Sequence, residues 1–492
     1  MAANVCARKA SRSNRWHVLQ HLRTVRCSLW KSVYKHNKTK QDKKQEEIPV
    51  QKKVGLWKTG TLGMQHVLAM YAGAVVVPLI VGPSIGMTPE QVAYLISIDL
   101  FTCGIASLLQ VIGGKYFGVK LPILMGCAFQ AVGPMIAIGK AEGITAIYGA
   151  IIAAGIIIMI MSQFMNKILR FFPPVVTGSV VVIIGTSLIG AAMGNIVGQP
   201  NSPGYGSSTS LFLAAVTLLS IVLMNRFFQG FMKSISVLIS LVVGTAVAYF
   251  MGLVDFSTVS KASWFHMVEP FRFGMPTFHM SAIIAMVLVG IVSMVESTGV
   301  FFALADVCEK KIDGEDIKRG LRAEGMAQVI GGVFQAFPYT TYSQNVGLVA
   351  LTGVKTRNVV VAACIIIMCL GLLPKVAALT TVIPNPVLGG AMIPLFGMVI
   401  SSGVRQLVTV DFRRMENMLI VAVSVGLGLG VSIAPAVFSQ LPDGLRLIME
   451  SGIVTGSFAA IFLNLILNGI RSQSIEDTIA VLKSEHSAET VM

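Results

Sequence analysis

Charge is what this chain has least of. Aspartate and glutamate number 23 in 492 residues, lysine and arginine 38, and charged residues make up 12% of the sequence against 54% hydrophobic. Soluble domains carry about 25% charged residues. Together with a mean hydropathy of +0.75, this excludes an ordinary water-facing surface and points to a polytopic membrane protein. Cysteine is also sparse. The seven present, Cys6, Cys27, Cys103, Cys127, Cys308, Cys364 and Cys369, show no paired ligand spacing, so neither a metal site nor a disulfide framework is expected. No Gly-x4-Gly-Lys-Ser/Thr loop occurs, which excludes phosphate-loop ATP hydrolysis, so any pumping must draw on an ion gradient or not occur at all. No nucleophile–base set or metal cluster is visible, so the chain does not read as an enzyme and no cofactor is expected.

The net charge of +15 resembles a nucleic-acid signal until it is located. Residues 1–58 hold 15 Lys/Arg against Asp42, Glu46 and Glu47, so most of the excess lies in one tail. That tail has no signal-peptide core and no periodic apolar face. It reads as a disordered cytoplasmic extension, a solvated tail with contact to anionic lipid headgroups as the alternative, and nucleic acid is not expected as a partner.

Apolar runs of about 20 residues, long enough to cross a hydrocarbon core, fall near 62–82, 90–113, 121–139, 143–165, 174–196, 209–226, 232–254, 281–303, 320–337, 340–353, 358–380, 386–404, 415–435 and 449–469. The third, Leu121-Pro-Ile-Leu-Met-Gly-Cys-Ala-Phe-Gln130, and the tenth, around Tyr342, each begin with a proline-led extended stretch before any helix can start. Lys and Arg collect in alternate loops: Lys115 and Lys120, Lys167 and Arg170, Arg226 and Lys233, Lys310 to Arg322, Lys355 and Arg357, then Arg405 to Arg414. The asymmetry predicts fourteen spans with both termini cytoplasmic.

Gln110-Val-Ile-Gly-Gly114 recurs as Gln328-Val-Ile-Gly-Gly332, and Pro174-Val-Val-Thr-Gly178 resembles Pro386-Val-Leu-Gly-Gly390, at offsets of 218 and 212 residues. Such an interval holds seven spans. An odd number inverts the second copy, so a 7+7 inverted repeat is predicted, with its substrate site at the repeat interface near the midplane. The third and tenth spans become symmetry mates that meet there.

Six polar positions stand out against this apolar background. Glu296 lies in the eighth span, where a carboxylate costs roughly 2.5–3.5 kcal/mol on insertion scales unless it faces a polar cavity. It reads as an acceptor for substrate N–H groups or as a proton carrier, with a helix–helix hydrogen bond as the alternative. Gln344 offers a carbonyl and an amide, the pattern that reads adjacent C=O and N–H edges of a planar heterocycle. Asn345 braces the loop or caps the following half-helix. Glu324, placed at the start of the ninth span, relays protons, braces the tenth-span loop or is an ordinary helix-end carboxylate. His66 orients polar neighbours or is simply buried, and Asp99 in span two is a further intramembrane acid without a ranked role. Phe129 and Tyr342, one in each broken segment, are placed to sandwich a flat ring, with core filling as the alternative.

Gln344-Asn-Val-Gly-Leu-Val-Ala-Leu-Thr-Gly353 resembles the signature of the nucleobase–ascorbate transporter family, an acid or Gln followed by Asn-x-Gly-x4-Thr and then Arg, Lys or Gly. The likeness runs from about residue 60 to 470 and includes Gln65-His66, the Pro-Pro-Val-Val-Thr-Gly stretch at 173–178, the Glu296 segment and Pro386-Val-Leu-Gly-Gly390. It is most similar to the bacterial urate and xanthine permeases. The resemblance implies a core domain of spans 1–4 and 8–11 (59–170 and 257–380), a gate domain of spans 5–7 and 12–14 (171–256 and 381–470), cytoplasmic tails at 1–58 and 471–492, and a homodimer. It assigns substrate contact to Glu296, Gln344, Phe129, Tyr342, Ser343 and Gly73, with Asn345 and His66 in support. Val300 stands where xanthine-selective relatives carry Asp and uracil carriers carry His. Glu324 stands where many relatives have Asn and the urate subgroup has Asp. The chain is thus expected to import oxidised purines with protons, urate first and xanthine second. A sodium-coupled carrier of nucleobase or ascorbate is the alternative.

Overall fold

The computed structural model describes residues 55–198 and 204–469; the predicted basic tail up to residue 54 and the predicted C-terminal tail from 471 lie outside the described residues. The described chain is mostly helical. It opens with Leu56–Ser84 (α1) and Pro89–Ile112 (α2), the latter started by a Thr88/Gln91 capping box with Pro89 behind it, where a missing N–H costs nothing. A three-residue strand, Met125–Cys127 (β1), leads through a single 3-10 turn into Val132–Glu142 (α3). Ile144–Met161 (α4), Pro174–Val197 (α5), Ser208–Phe227 (α6) and Ser236–Phe250 (α7) follow. Then come Met280–Val307 (α8), Gly314–Phe334 (α9), a second strand Tyr339–Thr341 (β2) and Ser343–Thr352 (α10). The rest is Arg357–Gly371 (α11), Pro374–Thr381 (α12), Asn385–Val408 (α13), Met415–Ile433 (α14) and Gly452–Asn468 (α15).

Among the described residues, α1, α2, α4 with its 3-10 extension to Phe164, α5, α6, α8, α13 and α14 are long and apolar enough to cross a membrane; α11 and α12 add a ninth if taken as one span. The protein is a polytopic membrane protein. α5, α6, α7, α13, α14 and α15 pack on one another, while α2, α4, α8, α9, α11 and α12 form a second set of mutual neighbours.

Two predicted spans differ in form. The run 358–380 is not one rod: α11 and α12 meet at 78°, because Pro374 removes a backbone donor and disfavours helical geometry at the residue before it. The ninth span begins six residues earlier than its apolar run. Asp313 and Asp316 form a reciprocal capping box, and the first turns that follow carry Glu315, Lys318, Arg319 and Arg322, which hydropathy alone reads as loop.

The two strands pair antiparallel, Met125 with Thr341, Gly126 with Thr340 and Cys127 with Tyr339. Ala128 N–H to the Pro338 carbonyl (2.9 Å) and Tyr342 N–H to the Leu124 carbonyl (3.1 Å) extend the ladder at either end. Unsatisfied backbone is prohibitively costly in hydrocarbon, so two short extended stretches survive there only by satisfying each other. Antiparallel pairing also means that α10 and the 3-10 turn before α3 leave from opposite ends of the crossing.

Candidate functional site

The pairing of β1 with β2 brings the two broken segments together and gathers the predicted residues around them. Phe129 and Tyr342 lie nearly parallel, ring centroids 6.0 Å apart at 14°. They are the two rings that the sequence places around a flat molecule, and they face each other directly. Tyr342 is fixed from three sides. Its hydroxyl donates to the Cys127 carbonyl (3.1 Å), its ring edge faces Gly73, where a methyl would lie 3.2 Å from Cε2, and its face covers Gly126, where a methyl would lie 2.4 Å from Cζ. Glycine at 126 is the condition for this ring position.

α8 supplies three polar side chains within five residues, and each reaches a different element. Ser293 donates to Glu324 Oε1 on α9 (2.5 Å). Glu296 accepts from Gln130 Nε2, the residue after Phe129 (3.2 Å). Ser297 Oγ accepts from the Thr341 hydroxyl of β2 (2.8 Å). Glu296 is half-buried, whereas Glu324 is fully buried. Glu324 is therefore not the helix-end carboxylate its place in the apolar run predicts: it is the eleventh residue of α9, about 15 Å along the helix axis, with Oε1 bonded to Ser293 and Oε2 without a hydrogen-bond partner among the described residues.

Asn345 does not cap α10. Its amide donates to the Pro122 carbonyl (2.7 Å), and its Oδ1 lies 2.6 Å from His66 Nδ1, so with the amide already committed His66 holds its proton on Nδ1. One side chain thus ties α1, the stretch before β1 and α10 together. Tyr342 occupies the cap position of α10 with extended backbone and no side-chain cap, leaving the first N–H groups of the helix available to an acceptor. Ser343 and Gln344, at that end, are exposed, and Gln344 makes no hydrogen bond among the described residues. Asp99 is enclosed (1% exposed); it accepts from Cys127 Sγ (2.7 Å) and from the N–H of Phe337 (3.3 Å).

The sequence does not single out Gln130, Ser293, Ser297 or Phe396. Gln130 closes the broken third segment and Ser293 lies one turn before Glu296, so both carry a signal in retrospect. Phe396 of α13 stands edge-on to Phe129 (5.7 Å, 84°); as one of 25 phenylalanines it carries none. Val300 is buried one turn beyond Glu296 and adds no polar group. No cluster of His, Cys, Asp and Glu able to hold a metal occurs among the described residues. A separate polar cavity lined by Arg170, Arg414, Asn417 and Asn464 shares no residue with the site. The arrangement presents a carboxylate, a free carboxamide and a helix N-terminus beside stacked aromatics. It can read a flat molecule that carries both N–H and C=O groups.

The sequence pattern of the permease family matches residues 58–437. The xanthine permease of Bacillus subtilis (strain 168) is 54% identical over 414 residues, 84% of this chain and 94% of that protein. The uric acid permease PucK of the same organism is 55% identical over 403 residues, 82% and 94%. Among solved structures, the transmembrane domain of the cyanobacterium bicarbonate transporter BicA superposes with a TM-score of 0.58 at 17% identity, covering 77% of this chain and 97% of that domain, a likeness of fold alone. With the Gln344–Gly353 signature at the start of α10 and Glu296 facing the same crossing, the chain belongs to the permease family of nucleobase–ascorbate transporters.

Proposed function

We propose that the protein is a secondary transporter that imports oxidised purines, urate and then xanthine, together with protons. The observation that carries this reading is the half-buried Glu296, held by Gln130 on one side, with the unbonded Gln344 presented at the N-terminus of α10. Glu296 accepts purine N–H groups while Gln344 pairs with a C=O/N–H edge. Ser343 and the backbone at Gly73 complete the contact, and His66 and Asn345 hold α10 in place. Either Glu296 or Glu324 carries the co-moving proton; Glu324 Oε2, which lacks a hydrogen-bond partner among the described residues, is suited to it. The names of the relatives, xanthine permease and uric acid permease, support the substrate class.

In this reading the chain crosses the membrane fourteen times as a 7+7 inverted repeat, α3 and α10 with their strands forming the broken crossings, and both tails face the cytoplasm of a bacterial inner membrane. The helices of 59–170 and 257–380 act as the core and those of 171–256 and 381–470 as the gate, in keeping with the two sets of mutual neighbours. The core moves against the gate within a homodimer set in lipid. Uptake of labelled urate challenged with unlabelled xanthine, uracil and ascorbate, with and without a protonophore, tests this reading. Competition by xanthine alone and loss of accumulation with the protonophore are expected. Competition by ascorbate, or uptake that follows Na+ when the proton gradient is held fixed, contradicts it.

A further inference from the structure

We propose that Asp99 is a positioning residue whose carboxylate fixes the crossing of the two broken segments and thereby the spacing of the purine site. The inference rests on the functional reading above and assigns a task to a group that contacts no substrate. Asp99 lies midway along α2, yet its two oxygens are divided between the two segments. Oδ2 takes the thiol of Cys127, the last residue of β1, at 2.7 Å. Oδ1 takes the Phe337 N–H at 3.3 Å and the Tyr339 hydroxyl at 3.2 Å, just before and within β2. Cys127 and Tyr339 are themselves a register pair of the two strands.

The site residues follow directly from these anchors. Phe129 and Gln130 come two and three residues after Cys127, and the Cys127 carbonyl receives the Tyr342 hydroxyl. A shift at Asp99 therefore moves the ring pair and the partner of Glu296 together. The chemistry of the hub is one-sided, since a carboxylate only accepts: the Cys127 thiol and the Phe337 N–H are committed to it, and the Tyr339 hydroxyl shares its proton between Oδ1, the Asp99 carbonyl and Thr102 Oγ1. Asparagine fits poorly. Its oxygen must serve the Phe337 N–H, which cannot turn, and its amide then faces Cys127, whose sulfur is a weak acceptor. A serine hydroxyl at 127 accepts well from an amide and donates equally well to a carboxylate.

This asymmetry gives a rescue test. Asp99→Asn is expected to raise the KM for labelled urate and xanthine about tenfold, the scale of one mispaired hydrogen bond. Cys127→Ser alone is expected to stay near wild type, and Asp99→Asn/Cys127→Ser to recover to within about threefold of it. Hydrogen–deuterium exchange on the purified full chain is expected to rise in Asp99→Asn within 121–131 and 337–345 only, and to fall back in the double variant. Should Asp99→Asn fail to reach the membrane, Cys127→Ala keeps the carboxylate and removes one donor, and the same two-segment exchange signature at smaller size is expected. An unchanged KM with less protein, or exchange raised throughout the molecule, overturns the proposal in favour of a general structural role. An unchanged KM with lost dependence on the proton gradient overturns it in favour of proton carriage. A wild-type protein that carries neither purine refutes the functional reading, while the exchange measurement still decides the role of Asp99.

Discussion

Gly126→Ala converts the contact between the two broken segments into a measurable clash. A methyl at this position lies 2.4 Å from Tyr342 Cζ and 2.7 and 2.8 Å from the two Cε atoms. Carbon atoms pack at about 3.5–4.0 Å, so the ring must retreat by roughly 1 Å. It has no easy way to do so: Tyr342 is 3% exposed, its hydroxyl is held by the Cys127 carbonyl and its ring lies against Phe129. Overpacking of this kind costs about 1–3 kcal/mol. If that cost falls on substrate-site geometry, the KM rises about 5- to 150-fold. Initial rates of labelled urate and xanthine uptake, normalised to membrane-inserted protein, provide the assay. Gly347→Ala on α10 is the control, because a methyl there meets open space and the KM should not change. A Gly126→Ala protein with wild-type KM refutes the argument that the Tyr342 ring position governs the site.

Two further variants separate the two acids. Gln130→Ala removes the hydrogen bond from Gln130 Nε2 to Glu296; hydrogen bonds to charged groups contribute about 1.5–3 kcal/mol, so a tenfold or greater rise in KM is expected in uptake assays, and an unchanged KM removes Gln130 from the site. Ser293→Ala leaves the fully buried Glu324 without its bonded donor; an unsatisfied buried group costs about 1–3 kcal/mol, so a lower Tm in detergent and an altered pH profile of uptake are expected, and an unmoved Tm and profile contradict a role for that bond.

Much of the fold is legible from residue order because lipid imposes one dominant rule, that backbone polar groups pair internally. Pro122 and Pro338 disfavour helical geometry at the residues before them, and the structure places a strand after each. The pairing partner of each strand is less direct, since only the repeat of Gln-Val-Ile-Gly-Gly indicates that the two segments meet. Where apolar counting misleads, the cause is local. α9 hides its first turns behind charged residues that a capping box makes helical, which displaced Glu324 towards the membrane surface in the sequence reading, and Pro374 divides a run that composition alone leaves whole. In the site, Glu296 and Gln344 are conspicuous because a lone acid or amide in an apolar helix demands a reason. Asn345 is conspicuous for the same reason but its partners, His66 and the Pro122 carbonyl, are 279 and 223 residues away and leave no trace in spacing. Phe396 is illegible for the opposite reason, since an aromatic in an apolar helix is unremarkable until its neighbour is known.

The most direct test of the account is uptake by Glu296→Gln in proteoliposomes under an imposed inward proton gradient, with insertion confirmed independently. Glutamine keeps the size of the side chain and its carbonyl acceptor but removes the charge and the titratable proton. The wild type is expected to concentrate urate and the variant to accumulate none. Undiminished, gradient-driven accumulation by Glu296→Gln contradicts it.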